Sequence, residues 1–124
     1  MRVAVLLAAI AIPAVAWGQS PPGLSNPDTW VTRQTAELVV LDKVRARPVT
    51  ITLAMGQSGS AGPLTITVRR CVIRPTDLPA DSAAFVEIQD TRSPATFRGW
   101  MLANEPALGQ LEHPIYDVRL TACR

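Results

Sequence analysis

The chain has 124 residues, with 12 Lys and Arg against 10 Asp and Glu, two Cys and a single His. That length accommodates one domain. A formal charge of +2 argues against bulk nucleic-acid binding, which needs a concentrated basic footprint, and the absence of Cys-x-x-Cys argues against a dithiol redox site.

The first residues read as a targeting segment. Met1 and Arg2 supply a positive start, Val3 to Ala16 is apolar apart from Pro13, and small residues frame cleavage points at Ala14-Val15-Ala16 and Ala16-Trp17-Gly18. That order predicts a secretory signal peptide over 1–18. The apolar run falls short of the roughly 20 residues of a membrane span, so an uncleaved anchor is the lesser alternative. No Cys near the cleavage points could accept a lipid. Loss of Arg2 lowers the formal charge from +2 to +1. Periplasmic or secreted localisation follows, with no membrane span after leader removal. Residues 19–35 form a lead-in: Gln19 to Asp28 is rich in Pro, Ser and Gly and has little to bury, and Trp30 begins the ordered part. A single domain is expected over 36–124.

Ala36 to Lys43 is a Val-rich strand, with a short helix from Thr35 as the rival reading. Arg45 to Pro48 turns. Val49 to Leu53 alternates, with Val49, Ile51 and Leu53 inward. Gly56 to Pro63 is a flexible loop. Leu64, Ile66 and Val68 then face inward, so the two alternating runs are expected to pair as a hairpin. Strict alternation would leave Cys71 outside, and a bulge at Arg69-Arg70 restores it to the interior. Arg74 to Ser82 is a Pro-punctuated loop. Ala83 to Asp90 is a strand with Ala84, Val86 and Ile88 on one face and Phe85 and Glu87 on the other.

Thr96 to Leu102 is the next strand. Gly99 marks a bulge or a close backbone approach, with Phe97 and Met101 on one face and Trp100 on the other. Asn104 is placed to cap a two-turn helix over Glu105 to Gln110, with Pro106 in its first turn. Glu112-His113-Pro114 turns the chain. Ile115 to Cys123 is the last strand, with Tyr116, Val118, Leu120 and Ala122 on one face. About six strands and at most one short helix predict an all-β fold, a small antiparallel sandwich or barrel.

Two Cys in an exported chain allow one intramolecular bridge, Cys71 to Cys123. It would close a loop of about 50 residues and contribute about 4 kcal/mol by chain entropy. Two free buried thiols are the alternative.

The blocks Leu41–Val44, Gly62–Val68, Cys71, Ala84–Ile88, Gly99–Met101, Pro106–Leu108, Glu112–Val118 and Cys123 carry a family resemblance. The chain resembles the bacterial secreted family known as domain of unknown function 2155 over nearly all of its length after Glu37. Glu-His-Pro-Ile-Tyr-Asp-Val is the most specific block. Arg45-Ala46-Arg47 stands where that family tends to have Thr-Gly-Arg, and Arg119 where an aromatic is common. The family has no established activity, so the resemblance implies export, the Cys pair and a single domain, and no reaction.

Glu112, His113 and Asp117 are the obvious chemical constellation. A His flanked by carboxylates can serve as a general base or a metal ligand, but one His with two carboxylates is a poor structural zinc set. No nucleophile elbow or phosphate loop accompanies it: GQSGSAG lacks both the strand-turn-helix setting and the Lys. His113 and Asp117 are therefore read first as fixing their turn. Glu87 with Asp117 could pair for glycoside cleavage only at a suitable separation. No catalytic residue, metal or cofactor is assigned. Lys43, Arg45 and Arg47, and Arg69, Arg70 and Arg74, form two basic groups diluted by Asp42, Asp77 and Asp81, whose ordinary role is a solvated face.

The reading that results is an exported, non-enzymatic β-domain that binds a protein or cell-envelope component. Its candidate surface is Trp100, Met101, Asn104, Glu112, His113, Tyr116 and Asp117, although a core position for Trp100 is the ordinary expectation. The alternatives are a small hydrolase using His113 with Asp117 or Glu112, and binding of an anionic glycan or lipid by the Arg groups.

Overall fold

The computed structural model describes residues 29–124; the expected signal peptide (1–18) and the tether from Gln19 to Asp28 lie outside the described residues. Eight strands follow in order: β1 (Val31–Thr32), β2 (Thr35–Asp42), β3 (Arg47–Ala54), β4 (Ser58–Ala61), β5 (Leu64–Ile73), β6 (Ser82–Asp90), β7 (Thr96–Leu102) and β8 (Tyr116–Cys123). All pairings are antiparallel. The fold is all-β, and among the described residues no helix is long and apolar enough to cross a membrane.

The strands divide into two sheets. One has the order β3-β2-β8; the other runs β5-β6-β7, with β1 and β4 both paired to β5. β4 meets the start of β5 at Leu64 to Thr67, and β1 meets its end at Val72 and Ile73. Alternation along each strand creates one apolar face per sheet. Leu38, Val40, Val118 and Leu120 from the three-stranded sheet meet Leu64, Ile66, Val86, Ile88 and Met101 from the other, all buried. Each such large side chain stabilises the fold by about 1.5–3 kcal/mol through burial.

Two departures from alternation bring the half-cystines together. In β5, Val68 faces Val86 but Arg70 faces Phe85, so Arg69 is an extra residue and Cys71 turns inward opposite Ala84. This is the expected bulge. A second one lies in β8, where Leu120 pairs with Leu38 and Ala122 with Glu37, leaving Thr121 extra. It was not expected, and it turns Cys123 inward after Val118 and Leu120. The two Cys, 52 positions apart in sequence, are joined as a disulfide with Cα atoms 5.7 Å apart. The bridge ties one sheet to the other.

Several expectations are corrected. Val49–Leu53 and Leu64–Val68 do not form a hairpin: β3 pairs with β2, and the GQSGSAGP stretch crosses between sheets and supplies β4. Serine and glycine there give no alternation signal, yet the backbone pairs fully with β5. Leu53 is buried as expected, but Val49, near the start of the edge strand β3, is exposed. Part of the lead-in is structured, since β1 lies inside 19–35 and the half-buried Trp30 sits under the Arg74 guanidinium, 5.5 Å from its ring centroid. Gly99 causes no bulge, because β7 keeps its register with β6 throughout; the Phe97 ring lies over it instead.

The expected helix is a single 3₁₀ turn, Pro106–Leu108, without a side-chain cap. Asn104 donates instead from Nδ2 to the Ala80 carbonyl at 2.6 Å, and its backbone N–H meets Asp81 Oδ1 at 3.1 Å. Gly109 ends the turn in extended conformation, pressed against the Trp100 carbonyl oxygen so closely that no Cβ fits. The segment from Ala103 to Ile115 therefore runs back along the outer edge of β7, with Leu111 buried in the core.

Candidate functional site

Residues expected to share one surface are scattered over the fold. Asn104 is bonded to Ala80 and Asp81, just before β6 begins. His113 is bonded to Asp90, where β6 ends. Nine residues of strand separate these points, on the order of 25–30 Å at the usual rise. Met101 is buried in the core at 1% exposure, so it cannot contribute to a surface. Glu112 is exposed. Asp117 pairs with Arg119 at 2.9 Å on the face of the three-stranded sheet.

His113 is the centre of a closed knot. Its Nδ1 accepts the backbone N–H of Ile115 at 3.0 Å and of Tyr116 at 3.1 Å. That assigns the ring proton to Nε2, which donates to Asp90 Oδ2 at 2.7 Å. The ring packs edge-on to Tyr116, 5.3 Å between centroids, and both partners of the His–Asp contact have side chains only 4% exposed. Asp90 also accepts from the Arg92 backbone N–H at 2.8 Å and the Ser93 hydroxyl at 3.1 Å. The hydrogen bond from His113, followed by that from Arg92, holds the Asp90 carboxyl below its usual range against the opposing effect of burial. The His113 carbonyl in turn accepts Lys43 Nζ at 2.7 Å.

With both ring nitrogens engaged, His113 offers no lone pair for proton abstraction or metal ligation. Its carboxylate partner is Asp90, not Glu112 or Asp117, which corrects the expected constellation. The knot joins three turns that are distant in sequence. Sequence reasoning missed Asp90 because the pairing is made across 23 residues and carries no local pattern.

Trp100 lies on the outer face of the five-stranded sheet, 40% exposed. The core position expected for it is corrected by strand parity: Met101 takes the inward place opposite Ala84. Arg70, Phe85 and Trp100 form a registered row across β5, β6 and β7. The Phe85 and Trp100 rings meet edge to face, with centroids 5.6 Å apart at 77°. Arg70 lies 6.0 Å from the Trp100 centroid and Arg98 5.8 Å from that of Phe85. In the next row Glu87 receives Arg69 at 3.2 Å and Arg98 at 3.3 Å. Packing of this kind restrains exposed rings and guanidiniums. The alternation around Phe85 and Trp100 places both on outward faces, and only the sheet register aligns them with Arg70.

Comparison with known proteins places the chain among bacterial proteins. It is similar, at 25% identity over 91 residues, to the uncharacterized protein RP359 of Rickettsia prowazekii; the match covers 70% of this chain and spans 59% of the length of that relative. No solved structure matches it. Residues 36–123 match the family described as an uncharacterized protein conserved in bacteria (DUF2155), and the chain belongs to that family.

Proposed function

We propose that this protein is an exported, non-enzymatic binding module of the bacterial cell envelope. Its docking face is the outer face of the five-stranded sheet, and its partner is a protein. The observation that carries the reading is the exposed Trp100, held rigid against Phe85 and flanked by Arg70. Trp and Arg are the residue types that dominate binding energy at protein interfaces, and a pre-ordered ring loses little entropy on docking. Export to the periplasm or beyond is supported by the leader pattern and by a disulfide that an oxidising compartment would sustain. The engaged ring nitrogens of His113 remove the main support for hydrolysis.

The test is photo-crosslinking from Arg98 in intact envelopes, comparing the native chain with Trp100→Ala and Arg70→Ala variants whose disulfide and thermal transition are retained. A discrete crosslinked protein that both substitutions abolish is expected. The same crosslinked product from native and substituted chains refutes the assignment of the face.

A further inference from the structure

A second surface lies at one end of the sandwich, where four connections meet: the β2–β3 turn, the β4–β5 turn, the β6–β7 turn and the segment entering β8. Two adjoining clefts share Asp42, Arg45, Gly62 and Tyr116 there. One, of about 350 Å³, lies between β3 and β4 and includes Arg47 and Val49. The other, of about 370 Å³, includes Val44, Arg92 and Ile115. Val44 is 75% exposed, Val49 52% and Ile115 40%, so three of the large exposed apolar side chains gather at this end.

Arg45, Arg47 and Arg92 are exposed, and among the described residues none makes an ion pair. The carboxylates at this end are Asp42, which lines both clefts, Asp90 and, two residues before Pro114, Glu112. Asp42 Oδ1 accepts the backbone N–H groups of Val44 and Arg45, both at 3.0 Å. Asp90 is sealed beneath His113, and Glu112 is exposed without an ion pair. The arrangement thus combines three exposed guanidiniums, with the Asp42 carboxylate beside Arg45 and Arg47, and apolar turn tips. Guanidiniums favour phosphate oxygens through paired N–H donors. Exposed aliphatic tips gain by entering the boundary beneath lipid headgroups.

We infer that this end of the sandwich docks on an anionic phospholipid surface. Arg45, Arg47 and Arg92 meet headgroup phosphates while Val44 and Ile115 enter the headgroup boundary. The chain would then lie with its strands steep to the membrane, leaving the Trp100 face open to the side. This surface is separate from the docking face proposed above, and either assignment can fail without the other.

Sedimentation with phospholipid vesicles tests it, using phosphatidylcholine alone and phosphatidylcholine with about one-third phosphatidylglycerol at low salt. The native chain should bind the anionic vesicles and not the neutral ones. Each of Arg45→Glu and Arg92→Glu should weaken binding about tenfold or more, because reversal removes one attracted charge, which alone is worth about fivefold, and adds a repelled one. Val44→Ser with Ile115→Ser should leave low-salt binding but remove what persists at physiological salt, where screening is stronger. Trp100→Ala should bind as the native chain does. All these positions are exposed, and an unchanged thermal transition checks each variant. Failure of the native chain to bind, equal binding to neutral vesicles, or unaltered binding by the charge-reversed variants overturns the inference. So does displacement by soluble glycerol phosphate at a concentration matching the accessible lipid, which would mark a simple anion site.

Discussion

Reduction of Cys71–Cys123 should be the most damaging single chemical change to this fold. The bridge spans 52 positions and joins one sheet to the other. Chain-entropy arithmetic for a loop of that size gives about 4 kcal/mol at 25 °C. Domains this small have about 5–15 kcal/mol in total, so the bridge accounts for a large share. Near the transition, each kcal/mol corresponds to about 4–8 °C for a domain of this size. Full reduction, or Cys71→Ala with Cys123→Ala, should therefore lower Tm by roughly 15–30 °C. The assay is thermal unfolding followed by circular dichroism with and without reductant, with alkylation and intact mass to count thiols. A drop under about 5 °C on complete reduction would refute the entropic argument. Two thiols alkylated without reductant would refute the bridge itself.

Other outcomes follow from particular contacts. Inserting Ala between Arg70 and Cys71 reverses the parity restored by the β5 bulge, so Cys71 should face outward and both thiols should become alkylatable. Gly109→Ala places a Cβ against the Trp100 carbonyl and should cost about 2 kcal/mol, the scale of forced overpacking; an unchanged urea midpoint would contradict the close approach. His113→Ala leaves the Ile115 and Tyr116 N–H groups without their acceptor and should cost on the order of 2 kcal/mol, read from the same midpoint. Asp90 has its folded pKa lowered, so below the ordinary carboxyl value of about 3.9 the unfolded state binds more protons. Its contribution is complete above that value and is lost as pH falls toward the lower folded pKa. Asp90→Asn should accordingly show a shallower loss of stability below pH of about 4 than the native chain, and parallel acid limbs in urea titrations would count against the His113–Asp90 bond.

Much of the strand content was legible because a half-buried strand writes its faces into the sequence every second residue. Leu64, Ile66 and Val68 announced their inward face, as did Ala84, Val86 and Ile88, and the misplaced parity of Cys71 announced its bulge. The second bulge was equally available from Val118, Leu120 and Cys123, but Ala122 offered an alternative inward residue and masked the shift. Ser58 to Ala61 carried no such signal, since a short Gly/Ser strand is held by its backbone pairing to β5 and not by side-chain burial.

By itself, the sequence determined the inward faces of β5 and β6, the all-β class and the one available pairing of cysteines. These follow from local periodicity and from counting. Only the tertiary structure decided which strand pairs with which, because alternation specifies a face and leaves the neighbour open. It gave β3 to β2 instead of to β5, and His113 to Asp90 instead of to its sequence neighbours. It also scattered the expected surface, with Asn104 and His113 at opposite ends of β6 and Met101 in the core, and assembled Arg70, Phe85 and Trp100 from three strands. Each of these contacts joins residues distant in the chain, and it exists only once two sheets have packed and bulges have set their registers.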